Sequence, residues 1–216
     1  PMLYQHAEPE RVGNDMRMLV SDMAGRASIE LKGAELGYDL STDRALLATI
    51  VDRVKVLESQ GYTFEAADAS FELLLREAVE GVRPSFFSVE SWRAITESSP
   101  VQDALSEATV KLRAGGERVV AVGEGNGPVN ALDQALRQAI GQLYPELAKL
   151  ELVDFKVRIL DTEHGTDAVT RVLISTSDGE TTWQTVGVGA NVVEASWEAL
   201  VDGLVFGLLR HGQPPR

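Results

Sequence analysis

The sequence predicts an α+β fold: an N-terminal linker carrying a helical hairpin, then two pseudo-symmetric βββα units. Three observations carry this expectation. The hydrophobic period changes from about 3.6 to 2 near Ser85, as a chain does on passing from helix to strand. A stretch made of a β-branched run, a glycine loop and the start of an amphipathic helix spans residues 120–132, and it recurs over residues 185–195. The two copies keep a constant offset of 64 residues, pairing Val122 with Val186, Gly123 with Gly187, Gly125 with Gly189, Val129 with Val193, Ala131 with Ala195, Ala135 with Ala199 and Leu136 with Leu200. Two copies of that size are a duplicated supersecondary unit rather than a solenoid.

The elements follow in order. Within residues 1–40, Arg17 to Ser21 reads as a short strand and Gly25 as a tight turn; Arg26 beside Ser21 and Ser28 is an anion-site candidate set against the plainer reading of an exposed arginine. Ser41-Thr42-Asp43 is a helix N-cap, and Leu46, Leu47, Ile50, Val51, Val54 and Leu57 follow at helical spacing until Gly61. A second helix is expected from Thr63, with Ala67, Phe71, Leu74, Leu75 and Ala78 on one stripe; Gly81 ends it and Pro84 prevents its resumption. The segment 80–85 is the boundary, dividing residues 1–84 from residues 85–216.

Beyond it, strand alternation runs from Ser85 to Ile95. Ala108, Val110 and Leu112 alternate with polar neighbours, Gly115-Gly116 signals a hairpin, and residues 119–122 form a third strand. The helix after the first glycine loop carries Val129, Leu132, Leu136, Ala139, Ile140 and Leu143. Residues 149–212 repeat the order of residues 85–148. Val153, Phe155, Val157 and Ile159 alternate, 162–167 is a polar loop, 168–176 is rich in β-branched residues, and Ser177-Asp178-Gly179-Glu180 is a turn. Residues 181–188 form the last strand, and Val193, Trp197, Leu200, Leu204 and Leu208 line the last helix. The tail from His211 is expected to fray. Each sheet has one face for its own helix and needs cover for the other, from the second unit or from a second chain.

Composition narrows the function. The chain has 216 residues with 20 Lys and Arg against 33 Asp and Glu, a formal charge of −13. That balance argues against nucleic acid and anionic membranes as partners. The chain has no cysteine, which excludes disulfides and Cys-type metal sites and fits a cytoplasmic location. No apolar run approaches the roughly 18 residues of a membrane span. Pro1 to Glu10 has no signal-peptide character, and a start at Pro1-Met2 is expected of a piece of a longer chain. His6, His164 and His211 stand far apart outside any metal-ligand pattern, and no nucleophile elbow occurs, so neither a metal site nor a catalytic constellation is expected.

The glycine loops are the site candidates. Their spacing departs from the dinucleotide fingerprint, the strands before them read as antiparallel, and no Walker lysine follows. A bound nucleotide is therefore the weakest reading. The plain reading is a tight β-to-α turn that needs positive φ at glycine. The functional reading is a small carboxylate ligand held by amides at the helix N-terminus. Candidate effector-binding residues are Gly123, Gly125, Asn126, Gly127 and Val129 in the first copy, and Gly187, Gly189, Ala190, Asn191 and Val193 in the second. Such a site suits an amino acid: amides for its carboxylate, Asp133, Glu124 or carbonyls for its ammonium, and Val129, Val193, Ala131 and Ala195 for its side chain.

Taken with Val12-Gly13-Asn14-Asp15-Met16-Arg17 and Val20-Ser21-Asp22-Met23-Ala24-Gly25-Arg26, the hairpin, the doubled βββα unit and the Asn-Ala-Leu-Asp after the first loop resemble the C-terminal regulatory (LeuA-type dimerisation/allosteric) region of the citramalate synthase, α-isopropylmalate synthase and homocitrate synthase family. The similarity covers essentially the whole chain. Ser-Asp-Met-Ala-Gly-Arg points to the citramalate branch; isopropylmalate synthases tend to carry Lys-His-Ser-Gly-Arg there, so Met23 stands where that branch has histidine. The resemblance implies linker subdomains over 1–84 and a regulatory, homodimerising domain over 85–216. It also implies a branched-chain amino acid as feedback inhibitor, leucine in isopropylmalate synthases and isoleucine in citramalate synthases. The family's (β/α)8 barrel, which condenses a 2-oxo acid with acetyl-CoA on a divalent metal, has no match here. The implied fragment has no cofactor of its own and is inactive alone. The competing reading is a purely structural dimerisation module whose loops are only turns.

Overall fold

The computed structural model describes residues 25–100, 102–160 and 168–213. Three helices come first: α1 (Gly25–Glu35), α2 (Arg44–Ser59) and α3 (Asp68–Glu80). Two antiparallel meanders follow, each closed by a helix. The first is β1 (Ser88–Ser99), β2 (Gln102–Ala114) and β3 (Glu117–Gly125) with α4 (Pro128–Ile140). The second is β4 (Glu151–Ile159), β5 (Thr170–Ser177) and β6 (Thr182–Gly189) with α5 (Val192–Arg210), and a 3-10 turn, Pro145–Lys149, joins the units. The sheet orders are β1-β2-β3 and β4-β5-β6. The α+β architecture with two βββα units is therefore the one expected.

Three local expectations are corrected. Gly25 opens α1 instead of making a turn; Ile29 is buried against Leu40 and Leu47, a contact too sparse in apolar residues to show as a stripe. The second helix of the hairpin begins at Asp68, with Ala67 at its N-cap, and not at Thr63. Residues 62–66 instead fold back so that Phe64 is buried against Phe71. Phe86 and Phe87 lie before β1, both buried, because Tyr144 packs edge-on to Phe86 and donates its hydroxyl to the Phe86 carbonyl at 3.1 Å. The candidate strand 17–21 and Ser21 lie outside the described residues, and Arg26 is exposed.

Most local signals have their expected cause. Asp43 caps α2, its carboxylate accepting from the Ala45 and Leu46 amides at 3.1 and 2.9 Å, which satisfies two donors that the first turn leaves without partners. Gly81 at φ 77° ends α3. Gly115 and Gly116, at φ 58° and 84°, turn the chain between paired Ala114 and Glu117; two central residues at positive φ are what a two-residue hairpin needs.

α3 faces two ways. Ala69 and Leu73 join the main core of the βββα units, while Phe71, Leu74 and Leu75 join a second core with α1 and α2. It also runs along β6, an edge strand. The Gln184 amide donates to Asp68 at 3.3 Å, Val186 to Ser70 at 3.0 Å and, from α5, Val188 to Glu198 at 3.2 Å. Three alternate outward N–H groups of the edge are thus met by side chains.

Within the main core, residues from both sheets, α4 and α5 form one apolar cluster. The first strand of each unit reaches toward the helix of the other, so Trp92 of β1 meets Trp197 of α5 at 5.9 Å between ring centroids. On β4 the side chains of Phe155, Val157 and Ile159 remain exposed. Their register partners Ile174, Val172 and Thr170 show that they stand on the helix-facing side of the sheet, past the reach of α5.

At Gly123, Gly125 and Gly187 the glycine loops owe their glycines to close approach and not to φ. None of Gly123, Gly125, Gly127, Gly187 and Gly189 has a positive φ, which corrects the turn-geometry reading. A Cβ on Gly123 would stand 2.3 Å from the Ala135 nitrogen, and one on Gly187 2.0 Å from the Ala195 oxygen. Each helix backbone lies directly on its third strand. Gly189 has only ordinary contacts, the nearest at 3.8 Å. In urea unfolding, Gly187→Ala is therefore expected to cost about 2–3 kcal/mol by overpacking, whereas Gly189→Ala stays within about 0.5 kcal/mol. Equal effects from the two would remove the close-approach explanation.

Candidate functional site

The two loops, alike in sequence, end in different helix starts. α5 is capped by Asn191, whose side chain accepts from Val193 and Glu194 at 2.9 and 3.3 Å. α4 begins at Gly127 with Pro128 next, and no side chain caps it. Proline has no N–H, so the Val129 and Asn130 amides are the first-turn donors left for a ligand.

Those amides border a cavity of about 680 Å³ between α4 and the start of β4. Asn126, Gly127, Pro128 and Val129 form its mouth at the loop, and Asn130, Asp133, Gln134 and Arg137 its α4 wall. Leu150, Leu152 and Phe155 make the opposite, apolar wall. Arg137 donates through Nε to both Asp133 oxygens at 2.9 Å and through Nη1 to the Leu147 carbonyl at 2.8 Å. The pair is mostly buried and ties α4 to the 3-10 turn. A carboxylate and a guanidinium thus sit one helical turn from free amides, facing an apolar wall. That arrangement can hold a zwitterion with an aliphatic tail.

Of the ten candidate residues, the structure brings Asn126, Gly127 and Val129 into this cavity. Gly123 lies beneath α4 and borders only a shallower hollow with Glu124. Gly125 sits under the Asn130 side chain, where a Cβ would come within 2.3 Å of Oδ1. Gly187 lies beneath α5, and Val193 packs partly against the main core. Gly189, Ala190 and Asn191 border neither this cavity nor the one under α5. The α4 wall was open to discovery in the sequence, because Asn130, Asp133, Gln134 and Arg137 fall at helical spacing on one polar face. The β4 wall was not, because nothing local says which helix a strand will face.

A second cavity, about 490 Å³, lies between α5 and β1 and reaches the N-terminal helical segment. Here Tyr62 donates its hydroxyl to Glu198 at 2.7 Å, and Arg83 donates to both Asp202 oxygens at 2.8 and 2.7 Å. Burial pushes the Glu198 carboxyl above its usual range, outweighing the hydrogen bonds from Tyr62 and Val188 that favour its charged form. Burial also pushes up Asp202, against the opposing pull of Arg83. Among the described residues, no group of three or more His, Cys, Asp or Glu is placed to hold a metal ion. No helix among them is long and apolar enough to cross a membrane.

The raised carboxyls have a consequence with a definite sign. A carboxyl whose folded-state pKa lies above its unfolded value holds its proton longer in the native state, so its stabilisation is lost as pH rises through the folded pKa. Lowered carboxyls such as Asp178, held down by the Thr181 amide, act the other way and only at more acidic pH. The unfolding midpoint is therefore expected to rise as pH falls toward the usual carboxylate range, and Glu198→Gln to reduce that rise, as followed by circular dichroism. A rise undiminished in the variant would mean that Glu198 does not contribute.

Residues 65–207 match the family model of the LeuA allosteric (dimerisation) domain. An (R)-citramalate synthase of Streptomyces coelicolor is 66% identical over 215 residues, covering 100% of this chain and 40% of that protein. One from Synechocystis is 45% identical, covering 96% of this chain and 39% of its own length. One from Sulfolobus acidocaldarius is 37% identical, covering 94% and 37%. The chain thus spans about 40% of the length of these relatives.

Proposed function

Because this chain belongs to the LeuA allosteric (dimerisation) domain family, we propose that it is the regulatory and dimerising part of a citramalate synthase-type acyltransferase and binds isoleucine as feedback inhibitor. The observation that supports the ligand is the cavity under the uncapped N-terminus of α4. In it the effector's carboxylate meets the Val129 and Asn130 amides, its ammonium meets Asp133, and its aliphatic chain lies against Leu150, Leu152 and Phe155. Condensation of a 2-oxo acid with acetyl-CoA on a divalent metal then belongs to a catalytic barrel outside this chain, and the 216 residues alone are inactive.

Calorimetry with isoleucine, leucine and valine tests the reading, with isoleucine expected to bind most tightly. Val129→Glu places a negative charge where the ligand's carboxylate goes, at a helix N-terminus that tolerates acidic residues in its fold. It is expected to weaken isoleucine by more than tenfold, while Gly189→Ala leaves affinity unchanged. No heat with any of the three amino acids would instead favour a structural module whose loops serve as turns.

Dimerisation has its own support in the exposed row Phe155, Val157 and Ile159 on β4, apolar surface of a kind that isolated chains seldom leave uncovered. Sedimentation at micromolar concentration is expected to give a homodimer. Phe155→Asp is expected to shift it toward monomer, and a wild-type chain that sediments as monomer would reject the assignment.

A further inference from the structure

The two cavities are related by the internal repeat. In the first, Asn130, Asp133, Gln134 and Arg137 of α4 face Phe155 of β4. In the second, Glu194, Trp197, Glu198 and Val201 of α5 face Trp92 of β1. Each helix position lies 64 residues from its counterpart. The strand positions correspond through register, since Trp92 pairs with Val110 and Phe155 with Ile174, themselves counterparts at the same offset. Each cavity is thus a seam between the helix of one unit and the first strand of the other.

The seams differ in what fills them. Among the described residues, none from the N-terminal helical segment lies in the walls of the first. In the second, the linker enters: Tyr62 bonds to Glu198, the counterpart of Gln134, and Arg83 bonds through two hydrogen bonds to Asp202, the counterpart of Gln138. The same segment is then fastened along β6 by Ser70 and Asp68. The polar face that waits for a ligand on α4 is, on α5, already taken by the chain itself.

We propose that the linker is a built-in occupant of the second cavity, and that through Tyr62 and Arg83 it reads whether the first cavity holds its effector. This rests on the effector reading of the first cavity. The physical connection is the shared core. α4 and α5 contribute to one buried cluster that also takes Trp197, and packed interiors pass on displacement because they have little void to absorb it. A ligand that draws α4 toward β4 loads the opposite seam, where Trp92 meets Trp197 and Tyr62 is bonded to the next residue of the same helix. Coupling between the sites is reciprocal, so fixing the linker also tightens the ligand.

Hydrogen exchange with mass spectrometry on this chain, with and without millimolar isoleucine, tests the coupling. In the wild type, isoleucine is expected to slow exchange at least threefold both at the first cavity, around residues 129–131, and in α3. In Tyr62→Phe, which removes a single hydroxyl, and in Arg83→Lys, the cavity amides still slow but α3 responds less than half as strongly. Protection at the cavity with no response in wild-type α3 overturns the coupling and leaves the effector site standing. An α3 response that survives both variants at full strength is general ligand stabilisation, and overturns it as well. No slowing anywhere rejects the effector site, and the coupling falls with it.

Discussion

The fold depends on a contact between backbones. α4 lies on β3 and α5 on β6 so closely that Gly123 and Gly187 have no room for a methyl group. A side chain there would lift the helix from its sheet and break contacts among Ala131, Ala135, Ala195 and Ala199, which are small and almost wholly buried. Small residues on the helix and glycine on the strand form one device, used twice. Both cavities depend on it, because the height of each helix above its sheet sets the width of the seam beside it.

The duplication was visible in the chain because this device is demanding. Glycine and alanine recur at fixed spacing where nothing larger fits, so the offset stays at 64 residues without a gap. The meanders were legible through period-2 alternation and through Gly115-Gly116, whose positive φ values suit the hairpin. The glycine loops misled for the same reason that they were conspicuous. Glycine suits both left-handed turns and close approach, and sequence alone does not tell the two apart. α1 was missed because few of its side chains are buried, Ile29 foremost. The apolar wall of the α4 cavity comes from β4, a partner chosen by tertiary packing and therefore silent in any local pattern.

Pseudo-symmetry in this chain is broken by small chemical choices. Gly127 and Asn191 hold equivalent places, yet one leaves the helix start bare and the other supplies a cap. Asp133 with Arg137 on α4 is answered on α5 by Trp197 with Val201, so the ion pair of one seam gives way to apolar side chains at the same positions of the other. The buried carboxylates of Glu198 and Asp202 cost desolvation that an apolar pair would not. They are held by Tyr62 and Arg83, residues outside the repeat. The two seams are alike in plan, and one of them is filled by side chains from the chain's own N-terminal helical segment.

The side chains along β6 have a consequence for how these molecules behave when crowded. An edge strand with free N–H groups is a template on which another chain can add a strand, and sheets grow into aggregates by that route. On β6 the Gln184, Val186 and Val188 donors are already engaged by Asp68, Ser70 and Glu198. The second sheet is therefore closed to growth on that side for as long as α3 stays docked. The helical segment before the sheets thus also guards the second sheet against sticking to its neighbours, so a slackened α3 would expose a nucleation edge.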